Sequence, residues 1–307
     1  MYYFIVNRTS GSGRAKKVWT EVKKELDKSG AEYQVFFTDH AGHAGELADE
    51  ICGYAEECIH LVVVGGDGTV NEVMNGMHDF DKVRFGYIPT GSGNDFARGM
   101  KITGTPAENL QRILREETVQ AVDIGEVSWE NGSGKRRFAI SSGVGMDADV
   151  CKQALTSKLK KFLNKIRLGS MTYVCLTIKS LFTMPTTTAR ITFDHGETKN
   201  YEKLIFLAGM NQPYEGGGVP MAPRGNAFDG KLSVCLAWGI SRLQAFFLLP
   251  ILVAGKHEHI KGFQVVECES VELEIEQDMV LHADGEYCGD ITHAAFRCLP
   301  GKLHMIL

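Results

Sequence analysis

Four short and almost wholly apolar runs set the strongest limit on how this chain can fold: residues 2–7 (YYFIVN), 33–38 (YQVFFT), 60–64 (HLVVV) and 83–88 (VRFGYI). Segments with helical spacing lie between them. In 14–26, Val18, Val22 and Leu26 share one face and lysines fill the others. Residues 44–57 read as a second helix and 108–116 as a later one. A strand without a polar face must be covered on both sides, and a parallel sheet wrapped by helices does this. The expected fold class of the first half is α/β with a parallel sheet. Ligands of such sheets bind beyond the carboxyl ends of the strands, so the loops at those ends carry the functional question.

Those loops are rich in glycine. The third strand runs into Gly65-Gly66-Asp67-Gly68-Thr69, the fourth into Pro89-Thr90-Gly91-Ser92-Gly93-Asn94-Asp95, and the first into Asn7-Arg8-Thr9-Ser10-Gly11-Ser12-Gly13. Glycine admits positive φ and lets another group approach the backbone. Free N–H groups beside a helix N-terminus suit a phosphate. No Gly-Lys-Ser/Thr follows, so this is not the Walker pattern. One such loop alone also fits a tight turn, but three at the same edge of the sheet converge on one crevice, and a nucleoside triphosphate fills such a crevice.

The second half changes character near Val122. Residues 122–127, 138–142, 189–193, 203–207, 232–236, 271–275, 279–282 and 302–307 read as strands, and VELEIE at 271–276 alternates apolar and polar residues as an antiparallel strand with one wet face does. A β-sandwich is expected. A length of 307 residues suits two domains, placed at 1–121 and 122–307. The formal net charge of −5 lacks the basic footprint of a nucleic-acid binder. No run of about 18 uncharged apolar residues exists to span a membrane. The start lacks the pattern of a signal peptide, and eight dispersed cysteines without a C-x-x-C pair suit reduced thiols, so a cytoplasmic protein is expected.

These segments resemble the diacylglycerol kinase catalytic-domain family, which includes bacterial lipid kinases, sphingosine kinases and ceramide kinases. The resemblance rests on GGDGTVNEVMNG at 65–76 and IPTGSGNDFAR at 88–98, and it continues through SGVGMD at 142–147, the glycine-rich stretch 209–234 with its Ala-Pro pair and Asp-Gly-x-Leu, and Asp284-Gly285-Glu286. GGDGT alone also resembles NAD kinases and phosphofructokinases. Asn71-Glu72 directly after it, followed later by GSGND, resembles the lipid kinases more. The resemblance implies a nucleotide-binding domain like those of NAD kinase and diacylglycerol kinase, a β-sandwich lipid-substrate domain, and ATP and Mg2+ as cofactors. It implies transfer of the γ-phosphate to a lipid hydroxyl, foremost that of diacylglycerol, giving phosphatidic acid. A sphingoid base or ceramide, an NAD kinase reaction and a non-catalytic nucleotide- and lipid-binding module are the alternatives. ATP contacts are implied at Asn7, Ser10, Gly11, Thr38, Gly66, Asp67, Gly68, Thr69, Val70, Asn71, Glu72, Ser92 and Asn94, with Asp67 near the phosphates and their magnesium. Asp229 matches the position of a second, structural magnesium. Residues 224–228 read RGNAF and hold no carboxylate, so Asn226 is the neutral oxygen available beside it.

The chemistry suits these residue types. Phosphoryl transfer needs positioning and charge neutralisation more than covalent help. Magnesium prefers oxygen ligands and bridges substrate phosphates to one or two carboxylates. A lipid alcohol needs a proton acceptor, and Asp284 and Glu286 are both candidates, although Asp-Gly also simply favours a hairpin turn. A lipid substrate implies peripheral contact with the inner face of a membrane. Residues 155–167 (LTSKLKKFLNKIR) carry Lys158, Lys160, Lys161, Lys165 and Arg167 against an apolar face of Leu159, Phe162, Leu163 and Ile166. That pattern fits a helix lying on an anionic surface and equally one packed on its own domain. Residues 243–254 (LQAFFLLPILVA) read as a buried helix wall, with an acyl-chain tunnel as the alternative. His257 and His259 stand two apart, which does not put them on one helical face. Oligomeric state, a homodimer included, stays open.

Overall fold

The computed structural model describes residues 1–54, 58–156, 169–196 and 198–307. The chain forms two compact units, Met1–Ile124 with Leu299–Leu307, and Gly125–Cys298.

In the first unit β1 (Tyr2–Val6), α1 (Arg14–Ser29), β2 (Tyr33–Phe37), α2 (His43–Tyr54), β3 (Ile59–Gly65), α3 (Asp67–Gly76), β4 (Val83–Pro89), α4 (Asp95–Gly99) and α5 (Pro106–Arg115) follow in order. The strands pair in parallel as β2-β1-β3-β4. Val18, Trp19, Val22 and Leu26 of α1 and Leu110 and Ile113 of α5 pack with Phe4, Val62, Val64 and Ile88 of the sheet. Helices α2 and α3 pack on each other. The apolar runs of β1, β3 and β4 are therefore largely buried strands, while β2 at the edge of the sheet has no fully buried residue. Helix α5 begins on a reciprocal cap: Thr105 accepts from Glu108 N–H and Glu108 accepts from Thr105 N–H, with Pro106 in the first turn.

The second unit holds the end of β5 (Val119–Trp129), from Gly125 onward, then β6 (Gly134–Phe138), β7 (Ser141–Gly145), α6 (Met146–Thr156), α7 (Gly169–Thr183), β8 (Thr187–Phe193), β9 (Thr198–Met210), β10 (Leu232–Trp238), α8 (Arg242–Val253), β11 (Phe263–Cys268), β12 (Ser270–Ala283) and most of β13 (Glu286–Ile306). Its strand pairs are antiparallel, among them β9 with β7, β8 and β10, and β12 with β7, β8 and β13. The VELEIE alternation holds: Val271, Leu273 and Ile275 are buried while the three glutamates between and after them are exposed. Leu204 and Leu207 of β9 enter one apolar core, and Ile205, Ala208 and Met210 enter another with Ala245 and Leu252 of α8.

Three expectations need correction. The boundary at 121/122 leaves out the last strand, whose end returns to the first unit: Met305 pairs in parallel with Phe85, and Ile306 joins the α1–α5 core. Residues 271–275 and 279–282 are one strand, β12, whose register shifts between Glu274 and Met279. Residues 243–254 form no buried wall: α8 exposes Leu243, Phe247 and Val253 and buries Ala245 and Leu252. The basic segment from Lys158 to Arg167 lies outside the described residues.

Candidate active site

The carboxyl ends of the parallel strands lie side by side. Beyond the ladder, Asn7 N–H donates to Val64 O at 3.0 Å, Thr38 N–H to Val6 O at 3.1 Å and Thr90 N–H to Gly65 O at 2.7 Å. The three glycine loops meet here. A Cβ on Gly66 would stand 3.1 Å from Gly91 Cα and 3.3 Å from Ser10 Oγ, and one on Gly91 would stand 2.8 Å from Gly66 Cα. A Cβ on Gly11 would strike the Thr90 carbonyl oxygen. Glycine is required because backbone packs directly on backbone. Arg14 fastens the arrangement by donating through Nη2 to Thr90 O at 3.0 Å and to Gly91 O. Asn7 donates to Thr69 Oγ1 at 3.1 Å and accepts from Thr9 N–H and Oγ1–H, joining the first loop to α3. Thr90 Oγ1 and Asn94 Oδ1 are buried with no hydrogen-bond partner among the described residues. A cradle of close-packed glycine backbone with two unmatched polar groups suits a polar ligand such as a polyphosphate.

The structure places the residues read as nucleotide contacts in two environments. Asn7, Ser10, Gly11, Thr38, Gly66, Ser92 and Asn94 stand on the loops at this edge, and Gly68 lies in the first turn of α3. Thr69, Val70 and Asn71 are buried within the first turns of α3, and Glu72 accepts from Ala44 N–H at 3.2 Å, near the start of α2. Asp67 bridges loops: its two carboxylate oxygens accept from Asp95 N–H at 3.0 Å and Phe96 N–H at 3.2 Å, the first residues of α4. A carboxylate oxygen accepts about two hydrogen bonds, so an Asp67 that positions α4 remains chemically fit to face a magnesium ion.

A second polar cluster surrounds the Asp284–Glu286 turn. Asp284 and Gly285 have φ of 48° and 85°, and Ala283 pairs with Glu286, which makes the two-residue hairpin that Asp-Gly favours. The Asp284 carboxylate accepts from Ala139 N–H at 2.8 Å, Ile140 N–H at 2.8 Å and Ser141 N–H at 3.0 Å. Glu286 is half-buried at the start of β13. Beneath the turn, His282 is fully buried. Its Nε2 lies 3.2 Å from Asp147 Oδ2 and 3.3 Å from Glu215 Oε1, and its Nδ1 accepts from Gly285 N–H at 3.1 Å. A Cβ on Gly143 would strike Asp147 Oδ2, so glycine there admits the carboxylate to the ring. The neutral ring thus carries its proton on Nε2, between the two acids. Burial opposes a second proton, but the hydrogen bond to Asp147 and the charges of Glu215, Asp147 and Asp284 outweigh it and push the pKa up to about 9. That second proton sits on Nδ1 and displaces Gly285.

Cys151 joins Glu215 and His282 in a cluster whose ligand atoms all lie within 4.8 Å of one another, and His40, His43 and Glu46 form a second such group at the surface. Neither contains Asp67, Asp229 or Asn226. Asn226 and Asp229 are exposed, and Asp229 Oδ1 accepts from Lys231 N–H at 3.0 Å. His257 is buried, with Nε2 donating to Met221 O at 3.0 Å, and His259 is exposed. Arg14, Thr90, Glu215 and His282 were not singled out in the sequence. His282 stands two residues before Asp284, the one local signal that it shares the turn.

Comparison with known proteins covers nearly the whole chain. Residues 1–127 match the model of the diacylglycerol kinase catalytic domain, and residues 140–307 match that of the YegS C-terminal NAD kinase beta sandwich-like domain. YtlR of Bacillus subtilis (strain 168), named as a candidate lipid kinase, is 30% identical over 94% of this chain and 94% of its own length. The diacylglycerol kinase of Staphylococcus carnosus (strain TM300) is 29% identical over 94% of this chain and 89% of its own. The crystal structure of a diacylglycerol kinase from Bacillus anthracis str. Sterne shares the fold with a TM-score of 0.70 at 22% identity, covering 99% of this chain and 96% of that one.

Proposed function

We propose a specific reaction for this chain, which belongs to the diacylglycerol kinase family of bacterial-type lipid kinases: transfer of the γ-phosphate of ATP to the free hydroxyl of diacylglycerol, giving phosphatidic acid. Lipid kinase activity follows from the family. The donor, the metal and the lipid are the finer reading. The observation that carries it is the convergence of three glycine loops, with Gly66 and Gly91 in backbone contact beside the buried Thr90 hydroxyl.

The nucleotide phosphates lie along Ser10–Gly11, Gly66–Thr69 and Ser92–Asn94, where backbone N–H groups and the α3 N-terminus offset their charge. Asn7 and Thr38 flank them. Magnesium, held chiefly by the phosphates with Asp67 as its protein carboxylate, would supply the remaining neutralisation. The Asn226–Asp229 turn offers one carboxylate and one amide oxygen, which suits an ion that keeps most of its waters, and no step of the transfer runs through it.

Glu286 is the better base. A carboxylate offers about four acceptor sites, and three of those on Asp284 already serve Ala139, Ile140 and Ser141. Asp284 therefore holds the turn, and Glu286 takes the hydroxyl proton as the alcohol oxygen attacks. Glu286→Gln should lower kcat by about 10²- to 10⁴-fold, the usual contribution of a general base, with nucleotide affinity unchanged in calorimetry. Near-normal turnover in that variant, together with a silent Asp284→Asn, removes both residues from the chemistry.

A further inference from the structure

The geometry points to the outward face of α8 as the surface by which this lipid kinase docks on an anionic lipid bilayer. The inference rests on the lipid kinase assignment and adds the place of contact. Leu243, Phe247, Pro250 and Val253 follow one another at intervals of four, three and three, which puts them on one side of the helix, and all four are exposed. Leu243 is 61%, Phe247 67% and Val253 57% accessible, while Ala245 and Leu252 on the opposite side are buried. A helix normally turns polar residues outward; here, from Ala245 onward, the solvent side is as apolar as the core side.

The patch extends beyond α8. Phe182, near the end of α7, is exposed, and its ring lies 6.1 Å from that of Phe246. Arg242 ties the two helices together by donating to the carbonyls of Phe182 and Met184. Phe182, Leu243, Phe247 and Val253 are half of the large apolar side chains exposed among the described residues, so the exposure is concentrated and not scattered, which marks an interaction surface.

Charge selects the occupant. From Arg242 to Lys256 the sequence contains no Asp or Glu, and those two exposed cations stand at either end of the apolar stripe. Apolar side chains between basic ends match the acyl boundary and the headgroups of an anionic leaflet. The helix is too short to cross: 12 residues extend about 18 Å against a hydrocarbon core of about 30 Å. It is held by its own cap, with Ser241 accepting from Gln244 N–H and Gln244 from Ser241 N–H, so it is formed before a membrane is met.

The test is cosedimentation of the full chain with vesicles of phosphatidylcholine, with and without phosphatidylglycerol. Wild type should bind the anionic vesicles, and Leu243→Gln/Phe247→Gln should bind at least about tenfold more weakly, two large apolar side chains having left the interface. Both proteins should phosphorylate a water-dispersed short-chain diacylglycerol equally. In Phe247→Trp, the added emission should shift to the blue only when anionic vesicles are present. Equal vesicle binding by wild type and double variant overturns the proposal. So does an added emission in Phe247→Trp that is already blue-shifted without lipid, the mark of a face covered by a second copy, which light scattering would register as a dimer, or by this chain's own 158–167 segment. Lipid-dependent binding in a protein that phosphorylates no lipid supports the docking face and removes the reaction instead.

Discussion

The buried His282 makes stability depend on pH in a way that a single substitution isolates. Its pKa rises from the ordinary 6.5 to about 9 because the Asp147 and Glu215 carboxylates outweigh the cost of burial. A shift of roughly 2.5 units at about 1.4 kcal/mol per unit favours the folded state by about 3 kcal/mol while the ring is charged. The folded pKa lies above the unfolded one. The contribution is therefore complete below about pH 6.5 and disappears as pH rises through about 9. Urea unfolding of wild type and His282→Gln at pH 6 and at pH 9.5 reads the effect directly. Wild type should lose about 3 kcal/mol more than the variant across that interval. Parallel losses in the two proteins would refute the reasoning and leave His282 neutral throughout.

Two further variants probe the loops. Gly91→Ala places a methyl group 2.8 Å from Gly66 Cα and 2.7 Å from Asn94 Oδ1; it should cost about 1–3 kcal/mol in thermal unfolding and abolish nucleotide binding in calorimetry, and retained affinity would detach the nucleotide from this cradle. Asp67→Asn sets an amide N–H against the N–H of Asp95 or Phe96, so amide exchange across α4 should speed up by the equivalent of about 1–3 kcal/mol; unchanged exchange would assign Asp67 wholly to the ligand.

The parallel sheet can be read from the sequence because its strands are apolar on both faces, and Gly66, Gly91 and Gly11 are visible because direct backbone contact tolerates no other residue. The outward face of α8 is hidden for the opposite reason. From Ala245 to Ala254 every residue is apolar, and a helix without polar residues carries no periodicity to say which side faces water. Strand β12 reads as two because Glu276, Gln277 and Asp278 break the alternation where the register shifts. The cluster of Asp147, Glu215 and His282 joins the start of α6, the loop before β10 and the end of β12, and no local spacing reports a meeting of three distant segments. The choice of Glu286 over Asp284 likewise needed the three N–H groups of Ala139–Ser141, about 145 residues away in the chain.

The central claim concerns where the phosphate goes. Incubation of the purified chain with γ-labelled ATP, magnesium and dispersed diacylglycerol, followed by organic extraction and thin-layer separation, should place the label in phosphatidic acid, and Glu286→Gln should remove it. Label that remains in the aqueous phase on a soluble acceptor, with none on diacylglycerol or any other lipid alcohol in a broad panel, would contradict it.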